Sequence, residues 1–134
     1  MNLNQVTLFT RRFDKSLQFY KTLGLRMIVD SAPRYVRFEC PDGDSTFSLH
    51  SIDEATDNNC VAVYFECDDV DAEYQRLSAF GIEFEHAPLD QDWLWREARL
   101  KDPDGNVLVL FAAGSNRKNP PWRAKSGESS TENV

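Results

Sequence analysis

Residues 6–24, VTLFTRRFDKSLQFYKTLG, and residues 61–81, VAVYFECDDVDAEYQRLSAFG, follow one plan twice. In each, a strand-like apolar run gives way to helical periodicity led by acids and stopped by glycine. Val6–Thr10 predicts a strand. Asp14 has the chemistry of a helix N-cap, and Lys15–Leu23 carries Leu17, Phe19, Tyr20 and Leu23 on its apolar side before Gly24. In the second copy Val61–Cys67 is the strand, Asp68, Asp69 and Asp71 crowd the helix start, and Ala72, Tyr74, Leu77 and Phe80 lead to Gly81. Gly24 and Gly81 are 57 positions apart, as are Asp14 and Asp71, and Ala32-Pro33 recurs 55 positions on as Ala87-Pro88. That register is the mark of a duplication with a small deletion.

Further out, Tyr35–Cys40 and Trp95–Lys101 each run as strands into a Pro-Asp-Gly turn, Pro41-Asp42-Gly43 and Pro103-Asp104-Gly105. Ser45–His50 and Asn106–Phe111 follow as final strands. Each half therefore reads strand, helix, strand, strand, strand. The predicted class is α+β: two tandem βαβββ modules, about 1–52 and 59–113, in a single domain over 1–115. One helix per module covers one face of its sheet, so the curved mixed sheets leave a concave cleft to meet water, a partner or a ligand. Residues 116–134 form a C-terminal tail. Its Asn116–Arg123 stretch is basic and Pro-containing, with Trp122 expected to dock on the domain, and the polar stretch from Ser126 is expected to be disordered.

Composition narrows the functional classes. With 41% hydrophobic and 28% charged residues in 134, the chain has the makings of a real core. Met1–Gln5 lacks a basic stretch leading into an apolar run, and no segment nears the ~20 apolar residues of a membrane span, so neither secretion nor membrane insertion is expected. Cys40, Cys67 and Cys60 are odd in number, unpaired by any CxxC and set in or beside apolar runs; they read as buried free thiols of a reducing, cytoplasmic compartment. A net charge of −7 offers no footprint for nucleic acid or anionic lipid.

Three pieces carry a resemblance to a known family: Asn4-Gln5-Val6-Thr7-Leu8, the helix with Ser16, Phe19-Tyr20 and Leu23-Gly24, and Asp102-Pro103-Asp104-Gly105-Asn106 leading into the last strand. In order and spacing they resemble the vicinal oxygen chelate superfamily of glyoxalase I, extradiol dioxygenases and fosfomycin- and bleomycin-resistance proteins, over nearly all of residues 1–115. Trp93–Asn106, with Trp95-Arg96-Glu97, is most similar to the bleomycin-resistance branch, which binds its drug without chemistry. The resemblance implies a homodimer whose clefts draw on both chains, or a cleft built within one chain. It also implies that the metal of family enzymes would lie at Gln5, Ser48, Ala62 and Val109, in place of the usual His, Glu, His and Glu. Two of these four have no donor atom, so no metal and no other cofactor is expected at that place. A displaced site using His50, Gln5 and Glu66 stays open, although His50 also reads as a strand-end histidine bonded to backbone or water. His86 is expected to face solvent.

Strand alternation says what lines the cleft instead. Gln5, Thr7 and Phe9 share one face; so do Tyr35, Arg37 and Glu39, and Thr46, Ser48 and His50. In the second half Ala62, Tyr64 and Glu66 lie on one side, as do Trp95, Glu97 and Arg99. Arg37 and Arg99 occupy equivalent places and, with Glu39, Glu66 and Glu97, suit a polar ligand; Tyr35, Tyr64, Trp93 and Trp95 suit a planar one. The same residues also suit plain cross-strand pairing, and Trp93 and Trp95 a dimer interface. Three functions follow: a metal-independent protein that sequesters or carries a small molecule; a lyase-, isomerase- or oxidoreductase-type enzyme with an atypical metal site, or with Glu66 or Glu97 as general base; and an interaction module whose clefts are filled by side chains such as Trp122.

Overall fold

The computed structural model describes residues 2–54 and 61–124. The first module comprises β1 (Gln5–Thr10), α1 (Phe13–Leu23), β2 (Arg26–Ser31), β3 (Tyr35–Glu39) and β4 (Thr46–Ser51). The second comprises β5 (Ala62–Glu66), α2 (Val70–Ala79), β6 (Leu89–Asp90), β7 (Arg96–Lys101) and β8 (Val107–Ala112), followed by a 3-10 turn at Gly114–Arg117. The sheet orders are β1-β4-β3-β2 and β5-β8-β7-β6, with the first and last strand of each module parallel and the rest antiparallel. This is the tandem βαβββ arrangement read from the sequence. The copies differ at their second strand: β2 has six residues, whereas β6 has two, preceded by an isolated bridge from Phe84 to Leu100.

The core lies on the helix side of both sheets. Phe13, Tyr20, Val36, Phe38, Phe47 and Leu49 from the first module join Leu77, Leu100, Leu108 and Leu110 from the second in one buried cluster. Phe47 and Phe65 touch across the junction, ring centroids 5.9 Å apart. Burying each such side chain stabilises by about 1.5–3 kcal/mol, so the modules share one core.

Helix α1 is held by a device that local sequence does not disclose. Its N-cap is Arg12, without a side-chain cap bond, and Asp14, read as the cap, lies inside the first turn. A carboxylate of the other module braces the entry to the helix: Asp104 Oδ1 accepts from the Arg11 amide at 3.0 Å and Oδ2 from Ser16 Oγ at 3.1 Å. Arg12 donates to the Pro103 carbonyl at 2.7 Å. Below it the buried Asp102 accepts from the Tyr20 hydroxyl at 2.6 Å, from Asn106 Nδ2 and amide N at 2.8 Å each, and from the Asp104 amide at 3.0 Å. Burial above all, with the Asp102 charge, pushes the Tyr20 phenol far above the ordinary tyrosine range, so it remains a donor. Gly105 makes the turn possible with φ +84°, as Gly43 does at +74° in the first copy. Helix α2, by contrast, caps itself: Asp69 accepts from the Ala72 amide at 3.0 Å.

Candidate functional site

The strand registers place the predicted residues on two grids. On the helix-free face of the first sheet the rows across β1, β4 and β3 are Gln5, Thr46, Glu39; then Thr7, Ser48, Arg37; then Phe9, His50, Tyr35. On the second sheet the rows across β5, β8 and β7 are Ala62, Val107, Lys101; then Tyr64, Val109, Arg99; then Glu66, Phe111, Glu97. The alternate residues, among them Val36, Phe38, Leu100 and Leu108, are those of the shared core. A second apolar cluster of Val109, Phe111, Ala113 and Trp95 lies on the other side of the second sheet.

The first grid is a hydrogen-bonded cluster. Ser48, fully buried, accepts from Gln5 Nε2 at 2.9 Å and lies 2.7 Å from the Tyr35 hydroxyl, which accepts from Arg37 Nε at 2.9 Å. Gln5 also donates to Thr7 at 3.2 Å and accepts from Thr46. Burial raises the Tyr35 phenol, but the bonds to Ser48 and Arg37 and the guanidinium charge outweigh it and bring it below the ordinary value. His50 is exposed, its Nδ1 3.0 Å from the Ser51 carbonyl, with Phe9 and Tyr35 rings 5.7 and 6.3 Å away. Glu39 meets Arg26 at 3.5 Å.

The second grid is built of rings. Trp95 stacks on Phe111 with centroids 4.6 Å apart, and Tyr64 meets both edge-on at 5.9 and 5.7 Å. Trp93 donates its indole N–H to Glu97 at 2.7 Å, leaving that carboxylate buried beneath a half-exposed ring. Next to Trp93 in the chain, Leu94 takes φ +68°, a left-handed conformation that a branched side chain adopts at a cost of about 1–2 kcal/mol. Arg99 faces Glu85 at 3.6 Å and Glu66 faces Arg117 at 4.0 Å. The two equivalent arginines differ in their partners: Arg99 has its own acid, and Arg37 has none within 4.0 Å among the described residues. His86, expected to face solvent, is half-buried, its Nδ1 2.8 Å from the Ala87 carbonyl.

Between the modules runs a groove of about 540 Å³, lined by Gln5, Cys40, Tyr64, Glu66, Cys67 and Leu77 among others. Of the predicted site residues it takes in Gln5, Tyr64 and Glu66; the remainder lie on the helix-free sheet faces, apart from Trp93 and Trp95 in the segment before β7. Cys40 and Cys67 are free thiols, and Cys60 lies outside the described residues. Burial first, then the Glu73 carboxylate, pushes the Cys67 thiol up to about 11. Trp122 is 57% exposed; the Asn116 carbonyl, 3.4 Å from the Trp95 indole, and Arg117 link the tail to the second sheet. The stretch from Ser126 lies outside the described residues.

The family metal positions can be tested on their donor chemistry. Gln5 and Ser48 are bonded to each other, Ala62 carries only a methyl, and Val109 is buried in the aromatic cluster. Two neutral oxygens do not make the coordination shell of a divalent ion. The clamp on α1 and the ring stack involving Phe111 went unread in the sequence; Phe111 shares the alternation of Val109 and was within reach of it, whereas the Asp104 contacts across the modules were not.

A sequence model of the glyoxalase/bleomycin resistance protein/dioxygenase superfamily matches residues 2–110. The uncharacterized protein YraH of Bacillus subtilis (strain 168) is 28% identical over 127 residues, covering 83% of this chain and 98% of that one. Among solved structures, a glyoxalase/bleomycin resistance protein/dioxygenase from Nocardioides is similar at TM-score 0.74 and 25% identity, over 93% of this chain and 90% of its own. A bleomycin resistance determinant encoded on transposon Tn5 is similar at TM-score 0.67 and 25% identity, over 84% and 98%. With the family model spanning both modules and the βαβββ pair present in the fold, this chain belongs to the glyoxalase/bleomycin resistance protein/dioxygenase superfamily.

Proposed function

We propose that this protein binds a small polar or planar molecule on the helix-free faces of its sheets, without a metal at the family position. The observation that carries the reading is the donor set: Gln5 and Ser48 satisfy each other, while Ala62 and Val109 offer no ligand atom. Surface that elsewhere in the family serves an ion is here given to hydroxyls and an arginine on one sheet and to rings on the other. The similarity to a bleomycin resistance determinant supports a binding role.

A homodimer accompanies this reading. Tyr64, Trp93 and Leu94 are each 46–47% exposed, and Tyr64 lies on the helix-free face of the second sheet, where a second copy would cover it. The free thiols of Cys40 and Cys67 suit a reducing compartment, the cytoplasm. No helix of the described residues is long and apolar enough to cross a membrane.

A second reading, an enzyme of the same superfamily, is favoured by the buried Glu97 carboxylate, which a displaced Trp93 ring would release as a general base. Elemental analysis of protein purified without chelator, beside a thermal-shift screen of planar and charged compounds, separates the readings. The binding role predicts less than stoichiometric Ni, Zn, Mn or Fe together with stabilising compounds. A stoichiometric metal, or a broad screen with no binder, contradicts it.

A further inference from the structure

Hydrogen counting on the first grid shows a surplus of donors. Gln5 donates into Ser48, and Arg37 Nε donates into Tyr35. One hydroxyl proton then lies between Tyr35 and Ser48 across 2.7 Å; with the fully buried Ser48 as its donor, the half-buried Tyr35 hydroxyl keeps its own proton to give. Arg37 keeps the N–H groups of both Nη atoms, none of them bonded within the described residues, and its guanidinium lies 5.6 Å from the Tyr35 ring centroid. The one acid of this grid, Glu39, is matched by Arg26. In a chain of net charge −7 acids are plentiful, so an arginine with none in reach is a matter of local arrangement. The equivalent Arg99 does have an acid, Glu85. The next row supplies flat surface, with the Phe9 and His50 rings edge to face and Phe9 45% exposed.

We infer that this face binds the carboxylate of a small aromatic acid, paired with the Nη atoms of Arg37 and accepting the surplus hydroxyl proton, with the ligand's ring against Phe9 and His50. A planar guanidinium fork suits a carboxylate bidentately, and a donor-rich surface rejects the isosteric amide's N–H groups. The inference rests on the proposed binding role and names its ligand class.

Calorimetric titration with benzoate, benzamide and benzylamine tests it. Benzoate is expected to bind at least about tenfold more tightly than benzamide, the worth of one charge-assisted bond. R37Q is expected to reduce benzoate to the level of benzamide, R37K to retain part of the preference, and K21Q, an equal charge change on α1, to leave it intact. Should R37Q fail to fold, Y35F carries the test through an expected several-fold loss for benzoate alone. Equal binding of benzoate and benzamide, or a preference that survives R37Q, overturns the anion site. If benzamide or benzylamine still binds in that case, the binding role stands; if none of the three binds and a broad screen is empty, both fall.

Discussion

The two Pro-Asp-Gly turns began as copies and now do different work. In the second module Asp102 and Asp104 reach across to Tyr20, Ser16 and the start of α1. In the first, the matching positions are Cys40 and Asp42, and the residues 57 positions beyond Tyr20 and Ser16 are Leu77 and Glu73. All four of these line the groove. One side of the duplicated junction is thus closed by buried hydrogen bonds, and the other is open. The sheet faces diverge in the same way: Thr46, Ser48 and His50 down the centre of the first become Val107, Val109 and Phe111 in the second. From two matching halves, a few side chains made the first module's turn line a groove beside a polar face and the second module's turn a clamp beside an aromatic face.

The largest effect is expected from breaking the clamp. Asp102→Ala leaves the Tyr20 hydroxyl and the Asn106 donors buried without partners, and should cost about 3 kcal/mol or more in urea unfolding. Its counterpart Asp42→Ala, in an exposed turn, should stay within about 0.5 kcal/mol. Equal losses would mean that the two turns are not functionally distinct.

Exchanging the central residues of the sheets sharpens the comparison further. Ser48→Val should destabilise by about 1 kcal/mol, by removing the hydroxyl that joins Gln5 and Tyr35, and weaken preference for an anionic ligand. Val109→Ser should cost about 1–3 kcal/mol by burying an unmatched hydroxyl beneath the rings. Circular dichroism melts of the pair report both.

Removing the indole donor alone is a smaller change. Trp93→Phe keeps a ring over Glu97 but removes its bond, so about 1 kcal/mol is expected, with Glu97 left more open to carbodiimide labelling. Unaltered labelling would place the cover over Glu97 elsewhere.

The smallest effect concerns the groove thiols. Cys67, pushed up to about 11, stays protonated where an unfolded thiol, near 9.0, already ionises. The sign follows: a raised folded value costs nothing below pH 9 and lowers stability progressively as pH climbs from 9 towards 11. Alkylation of Cys67 should accordingly be slow at pH 8 and accelerate up to about pH 11. Rapid labelling at pH 7 would show a thiol more open than its surroundings allow.

Much of this was legible because it is periodic. Alternation alone placed Gln5, Thr7, Ser48, Arg37 and Tyr64 on the faces away from the helices, since core residues have to take the other parity. Gly24 and Gly81 marked the helix ends through the left-handed backbone they permit, φ +111° and +89°. What local sequence could not show is pairing at long range. Asp14 has every attribute of a cap, yet it lies inside the first turn, and the carboxylate that braces the helix entry belongs to Asp104, in the other module. Arg37 and Arg99 look alike in register, and only the position of Glu85 tells them apart. Trp122 has the bulk to dock, yet more than half of it stays exposed.

Backbone amide shifts in an NMR titration with benzoate, run with excess chelator present, reach the core of this account. Recognition by side chains predicts saturable shifts concentrated at Thr7, Tyr35, Arg37 and Ser48 that a divalent ion does not alter. Shifts that skip this cluster, or that emerge only once such an ion is supplied, would contradict it.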